Sequence, residues 1–186
     1  MTVRLVIFGR QGAGKGTQCV NIVKTYGVAH ISTGDMLRAA VGAGTDMGLR
    51  AKEVMDSGGL VGDDIMNGIV ADRLSEPDAA GPGFVLDGYP RTQPQAEALL
   101  SILGDESLDA VINLDVPLDE VTARMKSRGR EDDTDEAIER RLALYEQETR
   151  PVLDFFDKQG LLVTVDGLGT EEEVSSRLIL AVNELL

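Results

Sequence analysis

Apolar residues along this 186-residue chain gather into five short runs, separated by stretches in which they recur at three- and four-residue spacing. The runs at 3–8, 29–32, 83–87, 109–115 and 161–166 are dominated by Val, Ile, Leu and Ala and bounded by Gly, Asp or Ser, the form of short buried strands. The intervening periodicity predicts helices. One covers 18–26, and a stripe of Ile138, Leu142, Tyr145, Val152 and Phe156 keeps helical period to about residue 157. Strands alternating with helices predict an α/β fold, with a parallel sheet covered on both faces and ligands collecting at the carboxyl edge of its strands.

Two stretches interrupt the alternation. Residues 32–61 carry Gly42, Gly44, Gly48, Gly58 and Gly59 among short helical pieces, longer than one crossover helix needs, which predicts a small helical insertion. Residues 127–133 are polar and charged and join two helices, and Asp133 with Glu136 has capping-box spacing for the second. The rest, at 1–31, 62–126 and 134–186, reads as the core of one domain.

The first strand edge carries the strongest chemical signal. Leu5-Val6-Ile7-Phe8 runs directly into Gly9-Arg10-Gln11-Gly12-Ala13-Gly14-Lys15-Gly16-Thr17, with a helix predicted next. Repeated glycines let successive N–H groups face one anion, Lys15 adds a point charge, and the helix contributes the positive end of its dipole. With 21 Gly in the chain, a G-x-x-x-x-G-K match arises by chance about 0.06 times, before strand and helix are required around it. A P-loop NTPase-type five-stranded parallel sheet holding a nucleoside triphosphate is the expectation. Gly16 fills the slot where Ser or Thr ligates magnesium, and Thr17 follows one place later, so the loop offers the metal no hydroxyl at the usual position.

Charge narrows the partners. A formal net charge of −14 and a pI near 4.4 argue against nonspecific binding to nucleic acid or an anionic membrane, so any anion site has to be built locally. No apolar stretch approaches the roughly 20 residues that span a bilayer, and Met-Thr-Val-Arg leads straight into the first strand; a cytoplasmic protein is expected. Cys19 is the single cysteine, which excludes a disulfide and a multi-cysteine zinc site, and no zinc cofactor is expected. Cys19 reads as a small packed hydrophobe and the single His30 as structural rather than catalytic. The helices leave no evident spare apolar face, so a monomer is expected.

Phe84-Val85-Leu86-Asp87 is an apolar strand ending in a carboxylate, the form in which P-loop nucleotidases place magnesium. Mg²⁺ gives up its hydration reluctantly, so Asp87 is expected to act through water. Arg38, Arg91, Arg124, Arg128, Arg130 and Arg141, six of thirteen arginines, all lie in or beside the two interruptions or the third strand edge. Each alone reads as a solvated guanidinium paired with neighbours such as Glu131, Asp132 or Asp133. Together they suit phosphoryl transfer, in which planar bidentate donors stabilise charge spread over several oxygens.

Four ordered motifs make the chain resemble the adenylate kinases over essentially its whole length: Gly12-Ala13-Gly14-Lys15-Gly16-Thr17-Gln18, Ser32-Thr33-Gly34-Asp35, Asp87-Gly88-Tyr89-Pro90-Arg91 and Arg128-Gly129-Arg130-Glu131-Asp132-Asp133. The resemblance implies reversible transfer of the terminal phosphoryl group from MgATP to AMP, giving two ADP. It makes 32–61 the NMP-binding insertion and 127–133 a short lid, both mobile. It implies that Gly12, Ala13, Gly14, Lys15, Gly16 and Thr17 hold ATP phosphates, with Arg128 over ATP, Arg124 near its phosphates and Gly169 near its adenine. It implies that Thr33, Arg38, Gly59, Leu60, Val61, Gly88, Tyr89, Pro90, Arg91 and Gln95 bind AMP, and that Arg130 and Arg141 bridge the phosphates. Lys15, Arg91, Arg124, Arg128, Arg130 and Arg141 are then the catalytic set.

Two of these residues also have a local reading: Thr33 as a helix cap, and Thr92-x-x-Gln95 as a capping box. Gln11 stands where the family usually has proline, which loosens φ there without removing an N–H from the cradle. UMP/CMP kinases share loop and lid but tend to have Ala and Asn at the positions of Thr33 and Gln95, so the pair here favours adenine. A nucleotide-dependent switch is the remaining alternative, although Asn-Lys-x-Asp is absent and the arginines would go unexplained.

Overall fold

A computed structural model describes residues 2–105 and 107–186. Five strands, β1 (Val3–Phe8), β2 (Ala29–Ser32), β3 (Gly83–Asp87), β4 (Ala110–Asp115) and β5 (Leu162–Asp166), form one parallel sheet in the order β2-β3-β1-β4-β5. The predicted strands are all present; the last two start one residue later than expected. Alternate side chains of β1 feed opposite faces: Leu5 and Ile7 join a cluster with Ile22, Ile112 and Leu178, whereas Val6 and Phe8 join one with Leu86, Leu99 and Phe156. A sheet buried on both faces leaves its ends as the accessible edges, and the strand-to-helix loops gather at the carboxyl end.

Helix α1 (Lys15–Tyr26) starts inside the glycine-rich loop and buries Gln18, Cys19 and Ile22. The predicted insertion consists of α2 (Thr33–Gly42) and α3 (Asp46–Asp56), followed by α4 (Asp63–Leu74) and the short α5 (Pro77–Ala80) before β3. Helix α6 (Gln93–Leu103) leads to β4, and α7 (Leu118–Arg128) and α8 (Asp135–Leu144) flank the charged connection. Helix α10 (Glu171–Asn183) follows β5 and opens with a full capping box between Thr170 and Glu173.

Two local expectations are corrected. The cap of α8 is Thr134, whose hydroxyl accepts from the N–H of Ala137 at 3.1 Å, and Asp133 does not cap because its carboxylate is taken by Arg128 and Arg141. The stripe from Ile138 to Phe156 is not one regular helix. A π-helical turn at Tyr145–Thr149, in which the N–H of Arg150 reaches the carbonyl of Tyr145, separates α8 from α9 (Arg150–Asp157). Pro151 supplies the reason: it has no N–H for the carbonyl four residues earlier and its ring crowds that carbonyl, so the preceding turn widens.

The α2–α3 hairpin depends on one glycine. Thr45 ties the corner by donating from N and Oγ1 to the carbonyl of Ala40, 3.2 Å in each case, and by accepting from the N–H of Gly48 at 3.0 Å. A Cβ on Gly48 would stand 2.1 Å from that same Ala40 oxygen, far inside contact distance and against backbone that cannot swing away. Gly48→Ala is expected to lower stability by about 1–3 kcal/mol and to speed amide exchange across α2 and α3 before the sheet loosens; exchange rates at or below the wild-type values there would contradict this packing.

Candidate active site

The loop between β1 and α1 is shaped by its glycines. Gly12 and Gly14 adopt φ of 88° and 96°, and a Cβ on Gly12 would lie 2.8 Å from the carbonyl oxygen of Val121 in α7. The ammonium of Lys15 folds back across the loop, donating to the carbonyls of Gly9 at 2.9 Å and Arg10 at 3.3 Å. Burial pulls the Lys15 pKa down, against the opposing pull of the Asp87 carboxylate. Arg10 does not join the loop's charge and is not a solvated side chain. Its guanidinium donates to Glu146 at 2.8 Å and to the carbonyl of Val116 at 3.0 Å, 5.8 Å from the centre of the Tyr145 ring. The loop is thereby tied to the π-helical turn.

A cleft of about 510 Å³ opens over this loop at the carboxyl edge. It gathers Gly12, Gly14, Lys15, Gly16 and Thr17 from the loop, and Asp87, Gly88, Tyr89, Pro90 and Arg91 from the end of β3. Arg38 enters from the insertion, and Arg124, Arg128, Arg130 and Arg141 from the far side. A smaller recess of about 50 Å³ adjoins it, lined by Thr33, Gly59, Leu60, Val61 and Gln95, with Arg38, Arg91 and Arg141 on the boundary. Of the expected residues, two line neither space. Ala13 is buried within the loop and its carbonyl accepts from Arg124 at 3.4 Å; Gly169 lies beyond β5 with φ of 119°, against Glu173 and Arg177.

The local readings of Thr33 and Gln95 resolve differently. Ser32, not Thr33, caps α2, accepting from the N–H of Asp35 at 3.3 Å. Thr33 is 1% exposed and its hydroxyl lies 3.4 Å from the carbonyl of Asp87, so it ties the ends of β2 and β3 together beside the recess. Thr92 caps α6 by accepting from the N–H of Gln95. The Gln95 amide, however, reaches past the cap: its Oε1 accepts from the N–H of Arg91 at 2.8 Å and its Nε2 donates to Asp63 at 2.7 Å. Tyr89 is buried, and its hydroxyl donates to Asn67 Oδ1 at 2.7 Å, with the carbonyl of Gln95 3.1 Å away.

Electrostatics mark the cleft as built for an anion. Burial lowers the Arg91 pKa, with Asp87 pulling the other way and Arg141 and Arg38 adding repulsion. Arg130 is lowered by burial and by Arg128 and Arg38, and no hydrogen bond from its guanidinium is found among the described residues. The other arginines lean on local carboxylates: Arg38 on Asp35, Arg124 on Glu120, Arg128 on Asp133, and Arg141 on Asp132 and Asp133. Asp87 itself titrates below the usual aspartate range. Burial pushes it up, but the His30 imidazole 3.8 Å away and the charges of Lys15 and Arg91 outweigh that.

Several contributors escaped sequence reasoning. Thr149 donates from Oγ1 to the carbonyl of Arg91 at 2.9 Å and, with Leu144 and Tyr145, closes one wall of the cleft. Pro151 was the available signal, since a proline inside a periodic helix marks a distortion. Asp63 fixes Gln95 from across the fold, which no spacing encodes. Gln11, singled out only as a missing proline, lines both the cleft and the recess. Cys19 is fully buried beside this site, and burial pushes its thiol up, away from nucleophilic use.

Comparison with known proteins agrees with this arrangement. A family model described as adenylate kinase matches residues 7–161. The chain is 47% identical over 186 residues to an adenylate kinase of Stenotrophomonas maltophilia (strain K279a), covering 97% of this chain and 99% of that one. It is 51% identical over 181 residues to an adenylate kinase of Nocardia farcinica (strain IFM 10152), covering 96% and 98%. An adenylate kinase of Xanthomonas euvesicatoria pv. vesicatoria (strain 85-10) is 47% identical over 182 residues, covering 95% and 97%. The loop, the arginine-lined cleft and these full-length likenesses together place the chain in the adenylate kinase family.

Proposed function

We propose that the chain transfers the terminal phosphoryl group of MgATP reversibly to AMP, MgATP + AMP ⇌ 2 ADP, in the cleft between the glycine-rich loop and the α2–α3 insertion. The observation that carries the reading is the convergence of a triphosphate loop and six arginines on one space. Lys15 and the loop N–H groups bind the donor phosphates, with Arg124 and Arg128 beside them. Arg38, Arg91, Arg130 and Arg141 serve the acceptor phosphate and the group in flight. Protein carboxylates offset the repulsion among these guanidiniums in part, and an entering anion relieves what remains at Arg91 and Arg130.

The acceptor oxygen of AMP is already anionic at neutral pH, so no general base has to remove a proton. Catalysis is positioning and charge neutralisation, and closure of residues 32–61 and 127–133 over the cleft excludes water as a rival acceptor. Adenylate kinases use ATP as its magnesium complex. The donor set here fits that use: Asp87 presents an oxygen at the strand end beside Lys15, while Gly16 contributes none. Asp87 would hold Mg²⁺ through its water shell, and the ion supplies charge neutralisation on the phosphates. No helix among the described residues is long and apolar enough to cross a membrane; a monomer working in the cytoplasm completes the proposal.

The recess is read as the adenine end of the AMP site. With one lone pair of Gln95 given to Arg91 and one N–H to Asp63, the amide retains one acceptor and one donor, the complement of the N6 amino group and N1 of adenine. Assayed with ATP and each monophosphate, the enzyme is expected to prefer AMP over CMP and UMP, and Gln95→Leu is expected to raise KM for AMP at least about tenfold with little change for ATP. A pyrimidine preference would replace this assignment with a UMP/CMP kinase. Lys15→Met and Arg91→Ala are each expected to lower kcat/KM at least about 100-fold; near-normal turnover by either folded variant contradicts its role.

Asp133 holds two of the phosphate-binding arginines in reserve. Its side chain is 1% exposed, and it accepts from Arg128 at 2.6 and 2.8 Å and from Arg141 at 2.8 Å. Burial pushes its carboxyl up, but these guanidiniums hold it below the usual range. A carboxyl lowered in the folded state stabilises fully above the ordinary aspartate pKa of about 3.9, and that contribution disappears as pH falls through the lower folded value. Melting temperatures of Asp133→Asn are therefore expected to be lower than wild type near neutrality and to fall less steeply below about pH 4; parallel curves would show that the pair contributes nothing.

A further inference from the structure

Three side chains with metal-binding chemistry meet beneath the cleft, and the phosphoryl-transfer reading uses only one of them. Cys19 lies one turn after Lys15 on α1, His30 is the second residue of β2, and Asp87 ends β3. One ligand atom from each lies within 4.8 Å of the other two, and His30 Nε2 is 3.8 Å from Asp87 Oδ2. That nitrogen is buried and has no hydrogen-bond partner. Its neighbour of opposite charge, the Asp87 carboxylate, stands just beyond hydrogen-bond distance, and an ion between imidazole, carboxylate and thiol would fill that spacing.

The donor types select which ion. Mg²⁺ demands six oxygen ligands in near-octahedral geometry, which a thiol and an imidazole do not supply. Zn²⁺ accepts sulfur, nitrogen and oxygen together, with ligand atoms about 3.5 Å apart in a tetrahedral site. The trio is thus at most about 1.3 Å wider than a filled site, a gap that small rotations of the three side chains would close on binding. A thiolate and a carboxylate neutralise the dication, with the thiol proton released to solvent and the imidazole binding through an unprotonated ring nitrogen. Lys15 and Arg91 then lose part of the Asp87 counter-charge, a cost that the metal–ligand bonds have to exceed. Asp87 lines the cleft, which leaves the fourth position open toward it. The lone cysteine rules out an all-thiolate site and is sufficient for this mixed one.

The geometry points to Cys19, His30 and Asp87 as a binding site for a soft divalent cation, represented by Zn²⁺, whose occupation inhibits phosphoryl transfer by withdrawing Asp87 from the MgATP water shell. The inhibition rests on the proposed kinase reaction; the binding does not.

Co²⁺ added to the metal-free protein reports binding directly. One equivalent is expected to give the near-ultraviolet thiolate-to-metal charge-transfer band and intense visible bands of a tetrahedral complex, both removed when Zn²⁺ displaces the cobalt. Cys19→Ser is expected to lose the charge-transfer band and His30→Gln to weaken Co²⁺ binding at least about tenfold. Preincubation with Zn²⁺ is expected to inhibit the wild-type enzyme at concentrations at least about tenfold below those needed for Cys19→Ser, each measured against its own metal-free rate. Absence of the thiolate band in wild type, or equal zinc sensitivity in Cys19→Ser, overturns the site. If Cys19→Ser fails to fold, the wild-type spectrum and His30→Gln decide. A thiolate band in a protein inert toward every monophosphate would uphold the site and defeat the kinase reading instead.

Discussion

Mutual repulsion among like charges is the constraint around which this molecule is arranged. Lys15, Arg38, Arg91, Arg124, Arg128, Arg130 and Arg141 face one cleft in a protein whose formal net charge is −14. Gathered cations of this kind are unstable without counter-charge, and the fold supplies it in two ways. Fixed carboxylates such as Asp133, Asp35 and Glu120 hold the outer guanidiniums by hydrogen bonds, and Asp87 holds the field at the centre. What remains, at Arg91 and Arg130, is depressed by burial and by neighbouring guanidiniums. In the proposed reaction a nucleotide phosphate supplies the rest of the counter-charge, and the same excess of cations would stabilise the spread of charge during transfer.

The sheet exists to present these charges at one edge. Parallel strands bring every βα connection to the same end, so a loop after β1 and another after β3 become neighbours although 70 or more residues separate them in sequence. The insertion and the charged connection add arginines from two sides without disturbing the doubly buried core. Stability and chemistry are thereby separated in space: apolar packing lies along the strands, and polar work lies at their ends.

The central strands β1, β3 and β4 were legible because doubly buried parallel strands read as apolar runs, and the partly exposed edge strands β2 and β5 were legible by their place between helical stretches. The cleft residues were legible for a different reason: glycine, lysine and arginine at a strand edge are expensive to place without an anion to bind. Other features were hidden because they depend on tertiary partners. Asp133 has the spacing of a cap, yet two guanidiniums outbid the backbone N–H groups, and Thr134 takes that role. Arg10 reads as a solvated side chain, yet Glu146 and Tyr145 hold it against the π-helical turn. Cys19 and His30 are individually unremarkable in sequence; the pairing of β2 with β3 brings His30 to Asp87, and the start of α1 brings Cys19.

The π-helical turn at Tyr145–Thr149 has a consequence for distance. Glu146 within it receives Arg10 from the loop after β1, and Thr149, at its other end, donates to the carbonyl of Arg91 in the loop after β3. The two loops proposed to hold the phosphates are therefore gauged against each other by the same five residues, and not only by the sheet from which they spring. The extra residue of the wide turn sets the azimuth between those two contacts; in a regular helix, one residue fewer would swing them by about 100° relative to each other. The span across which the phosphoryl group travels is in this sense metered by an irregularity in a helix.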